Sequence, residues 1–266
     1  MTDGSSRNRT IAAWAVHLYT GLGLPLMFLG AMALFKEGAA GEPSRYFVLT
    51  WIAIFVDATD GFFARRVGVK EVLPSFSGRR LDDLVDFLNF AFLPALALAI
   101  LGLFPEGWEA AACLPLMASG YGFCQESAKT DDAFVGFPSY WNIVVLYLFV
   151  LGLSPWLNLA IIAVLSVLVF VPIHYVYPTR TEFMMRTTLV LGLLWSAALL
   201  ALSLGARAGW ALPLALASFI YPVYYTVVSL IHHRRIHAAE AKAKLDAEAE
   251  IAAVNQTPRA AAARPS

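Results

Sequence analysis

WIAIFVDATDGFFARRVGVKEVLPSFSGRRLDDLVDFLNFAFLPALALAI, residues 51–100, sets four acids at the facing ends of two apolar runs. Asp57 and Asp60 interrupt the close of the first run; Asp82 and Asp86 open the second. Acids inside membrane segments are costly and rarely lack a partner. The first two are three residues apart and the second two are four apart, so each pair shares one helix face. Two such helices meeting at one bilayer face would bring four carboxylates together. That much like charge needs compensation, which hard divalent cations with oxygen ligands supply. A pair of ions a few ångströms apart suits phosphoryl transfer, binding phosphate oxygens and stabilising charge on the attacking and leaving oxygens.

Smaller features of the stretch agree. Gly61 lets a ligand or another helix approach the backbone. Ala64 shares the Asp57/Asp60 face, and Arg65 is placed to pair with an acid or to hold a phosphate in bidentate fashion. Each residue alone has a plainer role: a glycine packs helices, and a lone acid pairs with Arg65 or Arg66. Asp83 breaks the spacing and is expected to face solvent or cap the helix start. The joint pattern is what points to a metal-centred site.

Working outward, the chain has 266 residues, 59% hydrophobic and 14% charged, with zero net charge. Its mean hydropathy is +0.65. This excludes a soluble globular profile and leaves no basic footprint for nucleic acid. Apolar stretches of about 20 residues can cross a bilayer as helices, since backbone polar groups in lipid must pair within the segment. Eight spans are expected, at residues 11–35, 46–65, 81–104, 108–124, 139–153, 157–176, 183–204 and 210–231. The fold class is thus all-α and polytopic: a polar N-terminus over 1–10, a membrane domain over 11–231, and an Ala-rich charged tail over 232–266. The first run is read as a retained helix, not a signal peptide. There is no internal repeat. Cys113 and Cys124 lie at opposite ends of one apolar segment, too far apart to form a disulfide.

Lys and Arg bias sets the orientation. Arg7, Arg9, Arg65, Arg66, Lys70, Arg79, Arg80, Lys129, Arg180, Arg234 and Arg235 fall on one side if there are eight crossings. The other side holds Lys36, Arg45 and Arg207. Both termini and the acidic site are therefore expected at the cytoplasmic face of a bacterial inner membrane. A cation transporter would also carry intramembrane acids. It predicts carboxylates spread along a route across the bilayer, whereas here they cluster at one face.

The stretch from Asp57 to Asp86 resembles the signature of the CDP-alcohol phosphatidyltransferase family, D-x2-D-G-x2-A-R, a spacer, then G-x3-D-x3-D. The spacer runs from Arg66 to Ser77, and its length is similar to that of the bacterial phosphatidylcholine synthase branch. So are Val69–Pro74 with Ser77-Gly78, the segment Lys129–Asn142, and Trp14–Thr20. The eight-span count fits that branch too. The resemblance covers about residues 12–235 and implies a CDP-alcohol phosphatidyltransferase-like bundle, an active site opening sideways to lipid, and a homodimer.

The resemblance also implies the chemistry: CDP-diacylglycerol donates a phosphatidyl group to choline, and CMP leaves. Serine, inositol and glycerol phosphate are the alternative acceptors within the family. Carried over by position, Asp57, Asp60 and Asp82 hold the metal, two ions of Mn²⁺ or Mg²⁺. Asp86 joins them and acts as general base. Gly61, Ala64, Arg65 and Gly78 line the cytidine diphosphate site, with His17, Thr20, Arg180 and Arg186 as further candidates for the liponucleotide. Choline, a quaternary ammonium, calls for aromatic faces. Tyr121, Tyr140 and Trp141, with Glu126 for charge, are the candidates, although Tyr and Trp also gather at membrane interfaces for physical reasons.

Overall fold

The fold is described from a computed structural model, which describes residues 3–38, 40–125, 133–178, 181 and 183–261. It is helical apart from one two-stranded ribbon. The N-terminal rod is α1 (Asp3–Gly21) followed by α2 (Gly23–Ala33) and a π-helical turn, Leu34–Gly38. Pro25 cannot donate to the Gly21 carbonyl, which accounts for the break between α1 and α2. The rod starts well before residue 11, inside the stretch expected to be a polar N-terminus.

α3 (Ser44–Val67) follows, carrying Asp57 and Asp60 in its second half. Gly68 ends it in the left-handed conformation (φ 68°), donating its N–H to the Ala64 carbonyl. Arg65 and Arg66 occupy the last turn, where cations are favoured. A short turn of helix, α4 (Val69–Val72), folds back on α1: Val69 is buried with Ala13 and Val16. α5 (Gly78–Asp86) opens on Ser77, whose Oγ accepts the Arg80 N–H at 3.3 Å. It runs into a π-helical segment, Phe87–Phe92, and then α6 (Leu93–Ile100). Pro94 has no N–H for the Phe90 carbonyl, and the wide turn before it relieves that clash.

After a 3₁₀ turn at Glu109–Ala112 come α7 (Cys113–Cys124), strand β1 (Ala133–Val135), α8 (Trp141–Leu151) and α9 (Pro155–Leu168). Strand β2 (His174–Val176) pairs antiparallel with β1. The chain ends in α10 (Met185–Leu204), α11 (Ala211–Ser218) and α12 (Ile220–Ala261). The core lies where α3, α6, α8, α9 and α10 meet, with Tyr46, Leu98, Trp141, Ile162 and Leu202 buried. Outward faces stay apolar: Leu18 and Leu193 are each 72% exposed and Ile220 is 70% exposed. Such surfaces fit lipid.

Five described helices are long and apolar enough to cross a membrane: Arg7–Gly38, Ser44–Val67, Gly78–Ile100, Met185–Leu204 and Ala211–Ala238. The spans expected at 108–124, 139–153 and 157–176 are shorter than read. They become α7, α8 and α9, of 12, 11 and 14 residues. At about 1.5 Å per residue, an 11-residue helix covers roughly half of a ~30 Å hydrocarbon core. The third of these stops at Leu168 because Pro172 lies ahead and residues 174–176 enter the ribbon instead. α12 continues without a break past residue 232, where the tail was expected to begin. Both cysteines are free.

Candidate metal centre

The break at Leu22 brings the end of α1 and the start of α2 against α3 and α5. Thr20, Gly23, Ala53, Val56, Asp57, Asp60, Asp82, Val85, Asp86, Asn89 and Phe90 line one cleft. All four acids of the sequence motif therefore face the same space. One carboxylate oxygen from each of Asp57, Asp82 and Asp86 lies within 4.8 Å of the other two. Asp86 is buried, and the other two are half-buried.

Asp60 lines the cleft but stands apart from that triad. It is 7% exposed, and its Oδ2 accepts the Thr20 hydroxyl at 2.7 Å. A neighbouring contact, Tyr19 Oη to Thr59 Oγ1 at 2.7 Å, reinforces the α1–α3 junction. Arg79 reaches Asp83 at 3.9 Å, so the off-pattern acid, not a motif acid, takes this exposed ion pair.

Two devices fix the α5 wall. Asn89, buried in the π-helical segment, donates to the carbonyls of Gly23 and Val85, each at 3.0 Å. Gly23 has no room for a side chain, since a Cβ there would collide with Val85 Cγ1. The close crossing that glycine permits holds Asp82 and Asp86 at their depth.

The donor set is all oxygen, anionic and partly desolvated. It suits a hard divalent cation such as Mg²⁺ or Mn²⁺ and gives a softer ion no thiolate or imidazole. Asp57, Asp82 and Asp86 fit such an ion, and Asp60 offers a further oxygen in the same cleft.

Other expected site residues fall in different places. His17 is buried over Gly78, where a Cβ would come 2.8 Å from His17 Cε1, and its ring meets Phe76 at 4.4 Å. Arg65 is exposed, and its Nη1 lies 3.2 Å from where a Gly61 Cβ would stand. Ala64 packs on the cluster of Ala13, Val16 and Val69. Arg186 is exposed in the first turn of α10. Arg180 and Glu126 lie outside the described residues.

The aromatic candidates separate clearly. Trp141 is fully buried; its indole N–H donates to Ser119 Oγ at 2.7 Å and its ring packs on Phe137. Tyr121 is 65% exposed, 6.4 Å from Phe170. Tyr140, at the head of α8, is within electrostatic reach of Asp57 and Asp86 and of the phenols of Tyr221 and Tyr177. Tyr225 adjoins Tyr140, Tyr221 and Tyr175 in the same way. Tyr177, Tyr221 and Tyr225 were not singled out from sequence. The signal available for two of them was the four-residue spacing of Tyr221 and Tyr225 within the last apolar run.

No family model matches the chain. Curated proteins do. It is 37% identical over 183 residues, 66% of this chain and 69% of its counterpart, to the phosphatidylcholine synthase of Legionella pneumophila. It is 36% identical over 185 residues to that of Pseudomonas aeruginosa, covering 69% and 76% of the two chains. It is 38% identical over 192 residues to that of Rhizobium meliloti, covering 70% and 76%.

Proposed function

The chain belongs to the phosphatidylcholine synthase family, and from that premise we propose how its residues divide the work. The reaction moves the phosphatidyl group of CDP-diacylglycerol to choline and releases CMP; phosphatidylcholine stays in the bilayer. The residue 57–86 signature supports placing it in the wider CDP-alcohol phosphatidyltransferase class. The convergence of Asp57, Asp82 and Asp86 within 4.8 Å carries the reading.

Asp57, Asp60, Asp82 and Asp86 would hold Mn²⁺ or Mg²⁺, two ions. Bound there, such ions neutralise pyrophosphate charge and stabilise the attacking and leaving oxygens. The protein's own groups do the rest. Asp86 accepts the hydroxyl proton of choline. The choline oxygen bonds to the phosphorus carrying diacylglycerol, the P–O bond to CMP breaks, and CMP leaves with that electron pair. Thr20 orients Asp60 through their 2.7 Å hydrogen bond. Gly61 keeps the cytidine diphosphate wall low, Gly78 makes room for His17 against it, Ala64 backs them, and Arg65, Arg180 and Arg186 supply positive charge toward phosphates. His17 braces Gly78 from behind.

The quaternary ammonium has no proton to donate, so its recognition falls to aromatic faces. Tyr140 faces Asp57 and Asp86, and Tyr177, Tyr221 and Tyr225 gather around Tyr140. Trp141, buried against Ser119 and Phe137, leaves the role to this group.

We further read α7, α8 and α9 as three short crossings. That gives eight passes, with both termini and the active site on the cytoplasmic face of a bacterial inner membrane. The Lys and Arg distribution supports this orientation. The working unit on this reading is a homodimer.

Purified protein given CDP-diacylglycerol, Mn²⁺ and radiolabelled choline, serine, inositol or glycerol 3-phosphate is expected to label phosphatidylcholine alone. A product from serine or inositol with none from choline would overturn the acceptor assignment. A second expectation concerns Thr20. Hydrogen bonds to charged groups contribute about 1.5–3 kcal/mol, so Thr20→Val is expected to slow CMP release roughly tenfold or more, with Thr20→Ser close to the parent. Equal rates in all three would remove Thr20 from the site.

A further inference from the structure

A second cluster of ligand-type side chains lies on other elements. His174 opens β2, and His233 and His237 stand four residues apart on α12, on one helix face. One ring nitrogen from each lies within 4.8 Å of the other two. The Nδ1 atoms of His174 and His233 are 3.0 Å apart. Ring centroids are 5.3 Å apart for His174–His233, 5.6 Å for His174–His237 and 4.4 Å for His233–His237. With zinc–nitrogen bonds of ~2.0–2.1 Å, nitrogens on a tetrahedral ion lie roughly 3.3 Å apart. An ion there would take the place of the contacts His233 Nδ1 makes with His174 Nδ1 and with the His174 backbone N–H, the latter at 3.3 Å.

We propose that His174, His233 and His237 form a transition-metal site, suited to Zn²⁺, that fastens the β1–β2 ribbon to α12. Imidazoles select Zn²⁺ and its neighbours, whereas the carboxylate cleft selects Mg²⁺ or Mn²⁺, so the two sites differ in ion class. The frame is already built. Val176 N–H donates to Ser229 Oγ at 3.1 Å, and Tyr225 Oη donates to the Val176 carbonyl at 2.8 Å. The neighbouring Arg235 turns its guanidinium over the Phe183 ring, 4.1 Å from its centroid, and so is engaged elsewhere. Three histidines leave a fourth position for water. The ribbon held in this way leads through Gly136 to Tyr140, beside the carboxylate cleft. The proposal is independent of the acceptor and of the carboxylate chemistry.

The test uses full-length protein in detergent, stripped with chelator, with Asp57→Asn and Asp82→Asn combined to silence the carboxylate cleft. Titration with Co²⁺ is expected to give the visible absorption of a four-coordinate, nitrogen-bound ion, saturating at one equivalent and bleached by Zn²⁺. His237→Gln, at an exposed position, and His233→Gln should each abolish the band while circular dichroism keeps its helical signal. No band in the Asp-silenced protein would overturn the site, as would a band unchanged by both histidine substitutions.

Discussion

Asp82→Asn is expected to lower CMP release on the order of 10³-fold while leaving the helices folded. The substitution is isosteric, so packing around α5 is unchanged. What disappears is one of three anionic oxygens that approach within 4.8 Å of each other. Losing a single preorganised group that stabilises transition-state charge costs 10²–10³ in rate, and on the proposed reading the group would also hold the ion. Stability should move the other way. Without metal, three like charges at this separation repel, and removing one relieves the repulsion. Thermal unfolding in chelator is therefore expected at an equal or higher temperature than for the parent, and stabilisation by Mn²⁺ is expected to shrink. A purely structural Asp82 would give the opposite: unimpaired CMP release with a lowered unfolding temperature. Either half of that outcome would dismantle the metal-centre reading.

The site was legible to the extent that it is periodic. Acids three and four apart in apolar runs announce a shared helix face, and that much came from residues 57–86 directly. The turning of Asp60 toward Thr20 did not. Its partner lies forty residues away on another helix, and no local spacing encodes that meeting. The aromatics fail for a related reason. Trp141 and Tyr140 are adjacent in sequence, yet one fills the core and the other approaches the carboxylates. Hydropathy barely separates the two. Tyr221 and Tyr225 were hidden because a tyrosine in an apolar run reads equally well as packing. For the fold, the apolar runs located helices reliably, but their ends depended on chemistry that window averages blur. Pro172 and a three-residue ribbon shorten α9, and Pro94 underlies the wide turn holding Asn89. No Gly or Pro lies between Pro222 and Pro258, and the Ala, Glu and Lys of the tail favour helix, so α12 runs on past residue 232.

Gly136→Ala is expected to be the most damaging substitution outside the carboxylates, lowering both unfolding temperature and activity. Gly136 follows β1 and has φ +86°, a backbone conformation that costs a non-glycine residue about 1–3 kcal/mol. Its N–H donates to the Ile173 carbonyl at 3.0 Å, and the next N–H, of Phe137, donates to the Leu168 carbonyl at 3.0 Å. The glycine is thus threaded between the end of α9 and the approach to β2. A Cβ there would collide with the Val169 carbonyl oxygen, which is backbone and has no rotamer to change. Gly23 makes an instructive comparison, because its obstacle is the Val85 side chain. Trimming Val85 to alanine should recover part of the loss in Gly23→Ala, since overpacking by a side chain is relieved by removing volume. No trimming near Gly136 should recover Gly136→Ala. The displacement would travel along residues 137–140 to Tyr140, so choline should suffer more than the liponucleotide: the KM for choline rises in whatever protein remains folded. An unchanged unfolding temperature in Gly136→Ala would show that the loop yields freely, and Tyr140 would then lose the rigid mount from which it meets the acceptor.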